Sequence, residues 1–412
     1  MTSLAKKFIL IIGLVLTSLL SHAQYTNISG KVIDVQTAAP VQNAEVYLTN
    51  TTTRTATDAN GNYSINNIPA GKYELITRHL GYATKATDLV ASTKEQTLNI
   101  GLVPKIIELS EVTITDVNEW KRNLERFKLE FIGRDTHAAE CYILNEDILQ
   151  LRYSSKTQIL TAKTDDFLEV INPALGYKLR FLIKDLTVDY KELRYSYRGS
   201  MIFEELPGNK KEQKKWSKNR NDIYEGSFRH FMSSVIAANL KKNGFIVKRL
   251  KEEHNPNRPA DSLINYKITQ QFKYNPNNKR NNDSLKVWTS LSKMPKFIQT
   301  LSKEEVTESE ILKPGNVPQN YDLQFTDTLY VIYKNKYVES MSLWRNTNPK
   351  MLQRFPEAGN KQIAAINMQV RGPATFNREG IQLTEGRLFF DGTWGDARLS
   401  KQLPLDFKPD KN

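Results

Sequence analysis

The chain has 412 residues, a formal net charge of +13 and 39% hydrophobic residues, enough for two or three cored domains. Cys141 is the only cysteine, which excludes an intramolecular disulfide and leaves packed cores to hold the fold. Basic and acidic residues nearly cancel from Gln24 to Asp116, so the remainder of the chain carries almost all of the excess cations.

Lys6 and Lys7, the apolar run Phe8 to Leu20 and then Ser21-His22-Ala23 read as a secretory signal over residues 1–23, cleaved after Ala23. The run falls below the roughly 20 residues that cross a bilayer. No second long apolar run follows, so no transmembrane segment is expected in the mature chain. The expected location is the periplasm or the cell surface, with association to the outer membrane through another molecule.

From Ile28 to Pro104 short alternating segments and turn residues recur closely. Ala44, Val46 and Leu48 share one face of a strand and Glu45 and Tyr47 the other. Asp58-Ala59-Asn60-Gly61 makes a turn in which Gly61 takes a positive φ. Tyr63 and Ile65 then alternate with Asn62, Ser64 and Asn66, and Tyr73, Leu75 and Thr77 share a face of the next strand. The pattern predicts a small β-sandwich over residues 25–104.

The pieces Gly30-Lys31-Val32, Pro40-Val41-Gln42-Asn43-Ala44-Glu45-Val46, Thr57-Asp58-Ala59-Asn60-Gly61-Asn62-Tyr63, Ile68-Pro69-Ala70-Gly71-Lys72-Tyr73 and Gly81-Tyr82 resemble the carboxypeptidase regulatory-like domain, of the type found in Bacteroidetes. The resemblance covers roughly a fifth of the chain and implies a transthyretin-like sandwich of about seven strands. It implies an exported protein and brings no catalytic residues.

Residues 105–116 read as a strand-like connector through Ile106 to Thr115, with Asp116 and Glu119 as a capping box. A helix is expected from Val117 to Phe131, with Trp120, Leu124, Phe127 and Phe131 on one face and Gly133 as its stop. The next segments, Cys141 to Leu144, Leu149 to Tyr153, Gln158 to Lys163, Phe167 to Ile171, Tyr177 to Lys184, Leu186 to Tyr190 and Glu192 to Phe203, read as antiparallel strands, because their gaps cannot hold crossover helices. Leu193, Tyr195 and Tyr197 fall on one face. Lys210 to Arg220 reads as a solvated basic loop, and a second helix is expected over Tyr224 to Asn243.

These expectations give a mainly β chain with an α+β second region: antiparallel sheets with two helices over residues 117–250, then a mainly β region over 251–407, either separate or one domain with the region before it. Leu263 to Tyr274, Val287-Trp288, Tyr321 to Phe325, Leu329 to Tyr333, Ile363 to Val370 and Ile381 to Phe390 read as strands of that last region. A disordered tail is expected over 408–412. Asn172 to Tyr177, Tyr197-Arg198-Gly199, Trp216 to Arg220 and Gly226 to Phe231 resemble the body of Bacteroidetes proteins that begin with the same domain, and this resemblance brings no activity with it.

The sequence offers little chemistry. His137 and Glu140 have the three-residue spacing of a metallocarboxypeptidase zinc pair, and a third ligand would have to be His230 or His254. The antiparallel reading and the order of domains argue against that site. There is no nucleophile elbow, phosphate loop or Cys-x-x-Cys, Cys141 reads as a buried apolar position, and Asp165 and Asp166 point to opposite faces of a strand. No cofactor, metal or nucleic-acid partner is expected. The reading is a non-catalytic accessory or binding protein of the cell envelope, with an envelope protein or glycan as partner. The alternative is an envelope peptide or glycan hydrolase. The candidate surface combines Tyr195 and Tyr197 with Lys210, Lys211, Lys214 and Lys215, where tyrosine gives broad contact and lysine long-range steering.

Overall fold

Asp58 sets one turn of the sandwich by accepting from the Asn60 and Asn62 amides, and Gly61 adopts φ +77° there. Turns of this kind deliver eight strands: β1 (Tyr25–Asp34), β2 (Glu45–Leu48), β3 (Arg54–Ala56), β4 (Asn62–Pro69), β5 (Gly71–Arg78), β6 (Lys85–Ala91), β7 (Gln96–Thr97) and β8 (Ile100–Leu102). The structure is a computed structural model, and it describes residues 25–69, 71–91, 94–105, 117–274, 283–337, 361–368, 372–384 and 388–410. The expected signal, the connector at Ile106 to Thr115 and the Asp116 cap lie outside the described residues.

One sheet has the order β4-β1-β7, with β8 also on β1, and the other the order β3-β2-β5-β6. Ile28, Val32, Ile65 and Ile100 from the first meet Val46, Leu48, Leu75 and Leu89 from the second in one core. The alternation read from the sequence supplies that core, because residues two apart point the same way. The result is a β-sandwich.

The chain divides into two compact units. The first holds Met1–His230, Thr375–Thr384 and Asp396–Asn412, and the second Phe231–Ala374 and Glu385–Gly395. In the first, the sandwich is followed by α1 (Val117–Phe131), α2 (Thr136–Glu140), β9 (Tyr142–Ile143), β10 (Leu149–Ser154), β11 (Ile159–Thr164), β12 (Leu168–Asn172), β13 (Tyr177–Asp189), β14 (Arg194–Glu205) and α3 (Lys210–Tyr224). The strands form a six-stranded antiparallel sheet, β10-β11-β13-β12-β9 with β14 on β13. Leu124, Phe127 and Phe131 of α1 pack on Leu179 and Phe181 of β13.

A bulge between Ile183 and Asp185 resets the register of β13, so Tyr177, Leu179, Phe181 and Ile183 before it and Leu186 and Val188 after it all face the α1 core. The opposite face is also covered. Ile202 of β14 joins Phe167, Tyr47 of β2 and Ile76 of β5 in a second buried cluster, so the sandwich rests on the back of the sheet. The Asn50 amide donates to the Met201 carbonyl and the Phe203 amide to the Thr51 carbonyl, joining the two at the backbone.

The segment Lys210 to Arg220, expected as a basic loop, is instead the first part of α3. Asn209 accepts from the Lys211 and Glu212 amides while the Glu212 carboxylate accepts from the Asn209 amide, a complete capping box. The helix expected over Tyr224 to Asn243 is shorter, α4 (Phe228–Ile236), because Gly226 and Ala238 take positive φ on either side of it.

From Phe245 the chain runs through β15 (Phe245–His254), α5 (Asp261–Tyr274), α6 (Asp283–Lys293), β16 (Phe297–Glu305), α7 (Glu308–Ile311), β17 (Leu312–Pro314), β18 (Tyr321–Leu323), β19 (Thr328–Tyr337), β20 (Lys361–Met368), β21 (Ala374–Phe376) and β22 (Leu388–Gly392), all in the second unit except Thr375 and Phe376 of β21. A five-stranded antiparallel sheet runs β16-β15-β19-β20-β22. Leu263 to Tyr274 and Val287-Trp288 are thus helical, a correction to the strands expected there. Among the described side chains of α5 only Ile264 is fully buried, and α6 buries no residue completely, so burial gives neither segment a strand's two-residue period. The expectation of two helices over 117–250 falls short because side-chain caps at Asp135 and Asn209 start two more, α2 and α3.

Candidate interaction surface

The loop Asn172 to Tyr177 and helix α3 are built for each other. Asn172 turns the loop by accepting the Leu175 amide at its Oδ1, and Gly176 adopts φ +70°. Trp216 of α3 lies flat against Gly176 and Gly208; a Cβ at either glycine would overlap the indole. Its Nε1 donates to the Pro173 carbonyl at 2.9 Å, and Asn219 Nδ2 donates to the Ala174 carbonyl at 2.8 Å. Arg220 is buried with its guanidinium 3.9 Å from the centre of the Tyr177 ring, donating to the Leu175 carbonyl and, at 2.8 Å, to Glu205. The two sequence motifs Asn172 to Tyr177 and Trp216 to Arg220 therefore act on one another, and their chemistry is spent on seating α3.

The other side of α3 carries the lysines. At about 100° per residue, Lys210, Lys214, Lys218, Lys211 and Lys215 fall within an arc of roughly 140°, opposite Trp216 and Arg220. All five are exposed. Lys215 Nζ pairs with Glu140 at 3.1 Å. Among the described residues no carboxylate lies within ion-pair distance of Lys210, Lys211, Lys214 or Lys218. Asp410 reaches the flank of the helix, accepting from Ser217 Oγ at 2.6 Å and Asn221 Nδ2 at 2.7 Å, and those bonds lower its carboxyl pKa. The tail expected to be disordered from Lys408 is in this way bonded to α3 as far as Asp410.

Tyr195 and Tyr197 stand elsewhere. They pair across the hairpin with Val188 and Leu186, whereas Tyr177 and Glu205 mark its other end beside α3. Val188 lies eleven steps along the strand from Tyr177, about 36 Å at 3.3 Å per step. The tyrosines also face inward: Tyr195 packs on the α1 core under Arg398, whose guanidinium lies 4.2 Å from its ring centre, and Tyr197 meets Phe181 at 5.6 Å between ring centres. Tyr197 keeps 43% of its surface accessible, and its partial burial against Phe181 raises its pKa. The tyrosines and lysines do not form one surface. The opposed residues Leu186 and Val188 are the signal for this, since both are apolar and share the tyrosine face.

His137 and Glu140 sit on the one-and-a-half turns of α2, which Asp135 caps through the His137 and Ala138 amides. Glu140 is turned to Lys215, and His137 Nδ1 lies 3.8 Å from Asp135. His230 Nδ1 accepts the Gly226 amide, and burial lowers its pKa to about 4. His254 lies edge-on to Phe297. Among the described residues no three His, Cys, Asp or Glu side chains converge on a common point. Cys141 is half-buried and burial pushes its thiol up to about 12. Asp165 accepts from Gln150 and Asp166 from the Phe167 amide, so the two carboxylates serve different partners.

A second polar cluster lies where the sheet meets the sandwich. Arg180 Nε donates to Glu169 at 3.0 Å, and its Nη1 donates to the Tyr47 hydroxyl at 2.8 Å. The same Nη1 is 2.8 Å from Glu204 Oε1, close enough for an ion pair though not aligned as a hydrogen bond. Beside it, Glu74 of the sandwich accepts from Ser200 Oγ and pairs with Lys184 at 3.0 Å. Burial opposes the ionised form of Glu169, but Lys178 and Arg180 outweigh it and hold the carboxyl below its ordinary value. Tyr47, desolvated by burial, is pushed up to about 12.

Residues 28–114 match the CarboxypepD_reg-like domain family, so the N-terminal sandwich is a domain of that kind. A search of curated proteins gives no match. Solved structures resemble a part of the chain: the pilus 2b backbone protein of group B streptococcus, 20% identical over 19% of this chain and 40% of that one, TM-score 0.17; a type II cohesin–X-dockerin complex of Acetivibrio cellulolyticus, 20% identical over 24% and 72%, TM-score 0.18; and a 5-hydroxyisourate hydrolase of Klebsiella pneumoniae, 21% identical over 20% and 92%, TM-score 0.18. The chain spans two fifths of the length of that pilus protein. At such scores none of these likenesses carries a functional argument. Among the described residues no helix is long and apolar enough to cross a membrane.

Proposed function

We propose that this chain is an exported, non-catalytic accessory protein of the bacterial cell envelope, in which a transthyretin-like sandwich serves as a rigid mount for a binding surface. The observation that carries the reading is the seating of the regulatory-like domain against the β13–β14 sheet, through Tyr47, Ile76, Phe167 and Ile202 and the Arg180 cluster. A flexible tether would not need a buried face fixed by both apolar and charged contacts. The leader pattern at Lys6 to Ala23 supports export, and the exposed lysines of α3 support binding to an anionic component of the envelope.

Fractionation of cells producing the full chain tests the compartment: recovery in the envelope or periplasmic fraction is expected, and recovery in the cytoplasm would refute export. Turnover of wall peptide or glycan by the purified chain, abolished by His137→Ala, would refute the non-catalytic reading.

A further inference from the structure

The lysine face of α3 is costly to the fold that carries it. Lys210 and Lys211 occupy the first turn, where the aligned peptide dipoles already place positive charge, so each cation there opposes the helix macrodipole. The only acidic side chain of that turn, Glu212, is committed to the capping box. Asp222 lies at the far end of the lysine arc and Glu140 meets Lys215 at its edge. Four lysines are thus held at one rigid place with no ion-pair partner among the described residues, while Trp216 and Arg220 fix the opposite face. A local arrangement that works against stability is expected where function requires it.

The chemistry of the face selects its partner. Every cation on it is a lysine, a hydrated point charge that does not make the bidentate fork arginine offers to individual phosphates or carboxylates. The arc carries no aromatic or aliphatic side chain that would stack on a sugar or insert among acyl chains. The face is convex, and lysine stems are long enough to bring charges from the edges of the arc down to one plane. We propose that this face docks, without insertion, on the anionic headgroups of a phospholipid bilayer. The proposal rests on the envelope reading above and adds the surface against which the mounted helix is held.

Co-sedimentation of the purified full chain with vesicles tests it. One set contains equal parts phosphatidylglycerol and phosphatidylcholine, the other phosphatidylcholine alone. Binding to the first and not to the second is expected, weakening as salt is raised from about 0.05 M to about 0.3 M because the Debye length shrinks. Gln at Lys210, Lys211, Lys214 and Lys218 together is expected to weaken binding roughly fivefold per lysine. Gln at Lys72, Lys85, Lys156 and Lys163, exposed lysines of the same unit, removes the same net charge and is expected to leave most of the binding. Equal loss in the two variants, no binding to anionic vesicles, or capture by a sulfated polysaccharide without vesicle binding would each overturn the proposal. Envelope recovery without vesicle binding refutes the docking surface alone, and cytoplasmic recovery with vesicle binding refutes export alone.

Discussion

Compared side by side, the two buried faces of the β13–β14 hairpin are closed by different chemistry. Toward α1 the contact is apolar and aromatic, with Phe131 meeting Phe181 at 5.2 Å and Phe127 stacked on Phe131 at 4.8 Å. Toward the sandwich the apolar patch is small, four residues, and Arg180, Glu169, Glu204, Glu74 and Lys184 surround it. Apolar packing is non-directional and supplies most of the free energy. Charged pairs contribute less on balance, since desolvation offsets their attraction, but removing one partner leaves the other buried and unpaired. One face makes the sheet stable and the other fixes where the sandwich sits.

The comparison predicts unequal losses. Phe181→Ala, which empties a fully buried aromatic site, is expected to cost about 3–5 kcal/mol, read as a shift in denaturant midpoint. Arg180→Met should cost about 2–4 kcal/mol, because Glu204 and Glu169 lose their shared cation. Adding Glu204→Gln to Arg180→Met should recover part of that loss; strictly additive effects would show that the ion pair does not hold the sandwich.

Acid sharpens the contrast. Glu169 has a folded pKa below its unfolded one, so its stabilisation is fully present above the unfolded value and is lost as pH falls through the folded value. The facing core of α1 and β13 has no such group. Hydrogen exchange below pH 4.5 should therefore deprotect β2 and β14 before α1, and Glu169→Gln should narrow the difference. Simultaneous deprotection would remove the distinction between the faces. The smallest effect is expected for Lys214→Gln, within about 0.5 kcal/mol of the parent in thermal melts, since the residue is exposed and unpaired among the described residues.

Local signals were readable where the determinant is local. The Asp58 to Gly61 turn, the alternation of Tyr63 and Ile65 and the 3–4 spacing of Leu124, Phe127 and Phe131 each set backbone geometry within a few residues, and the strands and helix appear as read. The basic stretch reads as a loop because five lysines mask a helix whose cues are sparse: Asn209 with Glu212 at its start, and Trp216 four residues before Arg220. Leu263 to Tyr274 shows the general difficulty, since Tyr266 and Ile268 alternate while Ile264 and Ile268 are one helical turn apart.

The docked sandwich did leave a trace. Tyr47 and Ile76 lie on the outward face of their strands, and Met201-Ile202-Phe203 is an unbroken apolar run, the pattern of a strand buried on both sides. Neither trace names the partner surface.

By itself the sequence determined the turns, the strand alternation of the first domain, the amphipathic α1 and the amount of positive charge, because each depends on neighbours in the chain. Tertiary structure decided that Tyr195 and Tyr197 turn inward at one end of a long hairpin while the lysines line a helix at the other. It also decided that Pro173, Ala174 and Leu175 hold that helix by carbonyls alone. Backbone oxygens are the same in every residue, so only the fold can say which of them a side chain some forty residues away will find.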